Sequence, residues 1–69
     1  MKIKAQNGKV YEVYNVEMKL HIIKCADLKD KRRKHILGEY KNSERACEVM
    51  AEIAVHGWRK EEIFEMPMN

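Results

Sequence analysis

The stretch LGEYKNSERACEVMAEIAVHGW, residues 37–58, is the most strongly patterned part of the chain. Ala46, Val49, Met50, Ile53 and Ala54 recur at i, i+3, i+4, i+7 and i+8, the spacing of one apolar helix face. Asn42 or Ser43 precedes this run and suits the N-cap, where a side-chain oxygen accepts an otherwise unpaired backbone N–H. Glu44 falls in the first turn, where the helix dipole favours negative charge. Gly57 suits a left-handed C′ position, which would set Trp58 against Ile53. Cys47 lies at the edge of the apolar arc and reads as a small buried thiol.

Upstream of the helix, Ile36, Leu37 and Tyr40 predict a short strand, with Gly38 as a bulge or a close contact. The chain opens with alternation. Met1, Ile3 and Ala5 take one face, and Lys2, Lys4 and Gln6 take the other. Asn7-Gly8 then predicts a type I′ turn, because both residues tolerate positive φ. Val10, Tyr11, Val13 and Tyr14 supply a second strand. From Tyr14 the apolar residues move to even numbers: Val16, Met18, Leu20 and Ile22. This predicts a third strand over 16–25, with a bulge or a tight turn around Asn15. Residues 26–35 are dense in charge and read as an exposed loop. Downstream of the helix, Ile63, Phe64 and Met66 predict a last strand, ended or confined to an edge by Pro67. The expectation is a single α+β domain over 1–69: a small antiparallel β-sheet of four to five strands, with one α-helix packed on one face.

Composition limits the function classes. A chain of 69 residues buries only about 60% of the surface it exposes when unfolded, which leaves little room for a deep cavity. Hydrophobic residues make up 45% and charged residues 36%, a balance that suits a folded chain rather than a disordered one. There is no long apolar run to span a bilayer and no basic-then-apolar leader, so a cytoplasmic location is expected and no membrane partner. Cys25 and Cys47 are then expected to be reduced. Charge is divided along the chain. Residues 1–42 hold 11 Lys/Arg against 5 Asp/Glu, and residues 43–69 hold 3 against 6. A basic half and an acidic half can form a bipolar surface.

The strongest local charge feature is KDKRRKH, residues 29–35, with five Lys/Arg and one Asp. Lys29, Lys31, Arg32, Arg33 and Lys34 are candidates for contact with nucleic-acid phosphates or an acidic partner. Tyr11, Tyr14 and Tyr40 carry no surrounding signature of a single-strand reader. Glu44, Glu48 and Glu52 form an i, i+4, i+8 acidic stripe, a candidate contact for a basic partner, with Val55 between them on the helical wheel. No nucleophile elbow, phosphate-binding loop or zinc-protease motif occurs. His21, His35, His56 and the two cysteines show no paired-ligand spacing. The reading is therefore non-enzymatic, with no catalytic, cofactor or metal residues.

The segments MKIKAQNGKVYEV, LGEYKNSERACEVMAEI and IFEMP together resemble a group of small uncharacterised proteins from bacteriophages and prophages of Gram-positive bacteria. The likeness covers about half the chain, and residues 24–34 depart from it most. It implies an accessory protein of a mobile element, acting by contact with a host or phage protein. It transfers no active-site residue. An exposed sheet edge could also pair two copies as a homodimer.

Overall fold

A computed structural model describes residues 1–56 and 62–69. The elements run β1 (Lys2–Lys4), β2 (Val10–Lys19), β3 (Ile22–Asp27), β4 (Lys34–Glu39), α1 (Ser43–His56) and β5 (Ile63–Glu65). The strands lie in the order β4-β3-β2-β1-β5.

The first turn forms one residue earlier than Asn7-Gly8 suggests. Gly8 N–H donates to the Ala5 carbonyl at 2.9 Å, so Gln6 and Asn7 are the central pair. Gly8 follows at φ 86°, while Asn7 keeps a negative φ. This is not the type I′ turn. It matches the three-residue hairpin in which a glycine in the left-handed region closes a turn. Asn7 Oδ1 accepts the Lys9 N–H at 2.9 Å and holds the loop.

Strand β2 runs through residues 10–19 without ending at Asn15, and the register shifts between Val13 and Asn15. The break is a bulge. Before it, Tyr11 and Val13 face the core; after it, Val16 and Met18 do. In a regular strand Val16 and Met18 would point to solvent, so the extra residue keeps the apolar side chains inward. Asn15 Oδ1 accepts the Ala26 N–H at 3.2 Å and repairs the interrupted ladder. The bulge also bends the strand. The first part of β2 pairs with β1, the rest with β3.

The predicted strand over 16–25 is in fact the end of one strand and most of the next. Lys19 faces Ile22 across a two-residue turn, Leu20-His21. Leu20 is exposed and sits at φ 58°. A leucine carries no turn signal and is disfavoured in that region, and its even number continues the apolar alternation.

The sheet is mixed rather than antiparallel throughout. The three hairpin pairs β1–β2, β2–β3 and β3–β4 are antiparallel, but β5 pairs parallel to β1. Alternation dictates which residues face inward, not strand direction. A strand delivered by a helix rather than a hairpin is free to enter parallel to its neighbour.

A second bulge, in β4, lies between Ile36 and Gly38 and leaves Leu37 unpaired with β3. The freed Leu37 carbonyl accepts the Gln6 N–H at 2.9 Å. The Gln6 side chain completes the junction. Its Oε1 accepts Glu39 N–H at 2.9 Å, and its Nε2 donates to the carbonyls of Pro67 at 2.9 Å and Met68 at 3.3 Å. The β1–β2 turn is thereby joined to β4 and to the C-terminal tail, curling the sheet back on itself. Gln6 is thus not one more solvent-facing polar residue of β1.

Asn42 is the helix cap: its Oδ1 accepts the Arg45 N–H at 2.8 Å. Ala46, Val49 and Ile53 from α1 share one buried cluster with Ile3, Val13, Ile23, Cys25 and Leu37 from the sheet. Met50 packs at its margin, whereas Ala54 is exposed. Cys47 is exposed rather than buried, its Sγ 3.9 Å from Met18 Sδ. The apolar arc is narrower than the spacing suggests, and Cys47 falls outside it. The expected contact of Trp58 with Ile53, beyond the Gly57 cap, lies outside the described residues.

Candidate functional site

The basic run is an ordered turn between β3 and β4. Asp27 Oδ1 accepts the N–H groups of Lys29 at 2.8 Å and Asp30 at 3.2 Å. Asp30 Oδ1 accepts the Arg32 N–H at 3.1 Å, and Arg33 N–H donates to the Asp30 carbonyl at 2.9 Å. Asp27 N–H donates to the Arg33 carbonyl at 2.9 Å and closes the base of the turn. Asp27 and Asp30 therefore fix the backbone from which the cations project.

Those cations do not form one surface. Lys34 lies in β4 and binds Glu17 at 2.6 Å, a bond that holds the Glu17 carboxyl below its ordinary pKa. Lys31 Nζ sits 4.2 Å above the Tyr14 ring, a cation–π contact. Arg32 Nε is 3.7 Å from Asp30, with the rest of its side chain in solvent. Lys29 and Arg33 are exposed. Lys29, Lys31, Arg32 and Arg33 are together at the tip, and Lys34 is apart from them.

The acidic stripe also divides. Glu44 and Glu48 border a hollow with Lys41 and Arg45, and Arg45 Nη1 lies 3.5 Å from Glu48. Glu52 faces a different space. An open groove of about 530 Å³ runs between α1 and β5. Ala51, Val55, Phe64 and Pro67 give it an apolar lining, and Glu52 and Glu65 supply carboxylates. His56 lies on the helix side, its ring 5.4 Å from Phe64 and its Nε2 3.2 Å from Glu62. Val55 is 82% exposed. Of the groove residues the sequence singles out only Glu52 as a candidate, with Val55 beside it on the wheel. Phe64, Glu65 and Pro67 come from beyond the helix, and no sequence spacing brings them to it.

A second cluster ties the tip to the sheet. His35 Nε2 bonds Asp27 Oδ2 at 3.0 Å, and the His35 ring stacks on Tyr11 at 4.1 Å. Asp27 thus serves the turn with one oxygen and His35 with the other. The His35 bond and the N–H donors of Lys29 and Asp30 hold its carboxyl below its ordinary value of 3.8. A carboxylate depressed in the folded state contributes stability above the unfolded value and loses it as pH falls through the folded one. The stability gap between the native chain and Asp27→Asn should shrink on acidification below 3.8. Denaturant melts at a series of pH values check this, and a gap unchanged down to pH ~2 would refute it. Beside this cluster, burial pushes the Cys25 thiol pKa up, which opposes thiolate formation.

Among the described residues no three His, Cys, Asp or Glu side chains converge to hold a metal ion. Nor is any helix there long and apolar enough to cross a membrane. Comparisons with protein-family models, with curated proteins and with solved structures find no match to this chain.

Proposed function

We propose that this chain is a binding module rather than an enzyme, and that the groove between α1 and β5 receives a protein segment with an apolar anchor flanked by Lys or Arg. The observation that carries this reading is the pairing of apolar lining with the carboxylates of Glu52 and Glu65 in one open groove. The apolar part supplies burial, at roughly 25 cal/mol per Å². The carboxylates steer cationic segments in and keep acidic ones out. The partner proposed is a host or phage protein in the cytoplasm, as the resemblance of the sequence segments to small phage proteins would imply.

The test is a fluorescence titration with a peptide bearing one leucine between lysines and arginines, and with a control bearing glutamates instead. The basic peptide should bind and the acidic one should not. Glu52→Lys with Glu65→Lys should weaken binding at least tenfold, on the order of 1 kcal/mol per lost charge pair. Equal affinity for native and reversed chains would remove the groove from consideration.

A second reading is favoured by the ordered tip beside exposed Tyr14: nucleic-acid binding through Lys29, Lys31, Arg32 and Arg33. Neutralising these four would weaken such binding across all sequences and flatten its salt dependence. Unchanged affinity for labelled RNA and DNA would dispose of it.

A further inference from the structure

We infer that the segment fitting the α1–β5 groove is the β3–β4 tip of a second copy of this chain. The inference rests on the groove reading above and names its occupant. Leu28 is 44% exposed just past the Asp27–Arg33 backbone bond that closes the turn, its N–H donates to the Glu12 carbonyl at 3.0 Å, and Lys29, Arg32 and Arg33 lie in the same turn. This is an apolar anchor flanked by cations, the chemistry that the lining of Ala51, Val55, Phe64 and Pro67 with Glu52 and Glu65 selects.

Three further features point the same way. The tip backbone is already held by Asp27 and Asp30, so docking it costs little ordering entropy. The tip, between β3 and β4, and the groove, between α1 and β5, have no residue in common. One copy can therefore give its tip and receive another at once. Electrostatics also rejects the symmetric alternatives. Groove against groove would oppose Glu52 and Glu65 to their own counterparts, and tip against tip would do the same for Lys29, Arg32 and Arg33. Tip into groove is the contact that pairs opposite charges. Where tip and groove meet the same partner, the exchange is reciprocal and closes a two-fold dimer; where they meet different partners, it builds a larger ring or an open chain.

Analytical ultracentrifugation of the full chain, across protein concentration and salt, tests this. The native chain should gain mass with concentration and lose it with added salt. Arg32→Glu with Arg33→Glu should weaken association at least tenfold, and so should Glu52→Lys with Glu65→Lys. The chain carrying all four reversals should associate again, because each contact then pairs opposite charges in the other sense. All four positions are exposed, and circular dichroism verifies that each variant folds. A native chain that stays monomeric at low salt and millimolar concentration overturns the inference. Association that ignores the reversals, or that the fourfold variant fails to regain, overturns it equally. If the native chain is monomeric yet the basic peptide binds the groove through Glu52 and Glu65, the groove reading stands and only its occupant is wrong. If neither occurs, both fall.

Discussion

Leu37→Ala is expected to remove about 2–5 kcal/mol of stability, whereas Ile36→Ala should stay within about 0.5 kcal/mol. The two residues are sequence neighbours of equal hydrophobicity. In the fold, Leu37 is 0% exposed and Ile36 is 58% exposed. Leu37 is the extra residue of the β4 bulge, and its side chain enters the cluster that also holds Ile23, Val49 and Ile3. Removing it leaves a cavity where sheet and helix residues meet, and a close-packed interior relaxes only partly around such a void. For 69 residues the whole stability is of the order of roughly 3–10 kcal/mol. The loss would therefore be a large share of the total. Urea denaturation of both variants checks the contrast. Similar midpoints for the two would mean that Leu37 is not the inward residue of β4.

Gly38→Ala should cost about 1–3 kcal/mol although it adds one methyl group. A Cβ at Gly38 would lie 3.0 Å from the Tyr40 ring edge and its hydroxyl oxygen, and 3.1 Å from Gln6 Cδ. Neither neighbour is free to give way. Tyr40 is buried and donates its hydroxyl to the Pro67 carbonyl at 2.8 Å. Burial also pushes the Tyr40 phenol pKa up, which keeps it a donor. Gln6 is held by Glu39, Pro67 and Met68. The methyl group must displace the junction that links the β1–β2 turn, β4 and the C-terminal tail. Because the residues are in contact, Gly38→Ala and Gln6→Ala should be non-additive: with the Gln6 side chain gone, part of the clash is gone too. A thermal-unfolding double-mutant cycle measures this. Simple additivity would show that Gly38 and Gln6 do not share the junction.

The charged candidates show what a linear reading can and cannot reach. Lys29, Lys31, Arg32 and Arg33 do project from one turn, as their crowding suggests. Lys34 belongs instead to a strand and to Glu17, a partner 17 residues away in sequence. The regular spacing of Glu44, Glu48 and Glu52 is real on the helix. Their surroundings come from other segments, which give Glu48 an arginine neighbour and Glu52 an apolar groove.

Local chemistry determined the helix Ser43–His56, with Asn42 as one of two possible caps, and the existence of the opening hairpin with Ile3 and Ala5 inward, because each depends on residues within a turn or two of one another. Four features were decided only by tertiary structure: the turn at Leu20-His21, the parallel entry of β5, the closure through Gln6 and the groove beside α1. The turn contradicts local propensity, so it holds through the β2–β3 pairing it joins. The entry of β5 and the Gln6 closure join residues separated by dozens of positions, the groove joins residues 8 to 16 apart, and in all three the partners meet only once the core has packed.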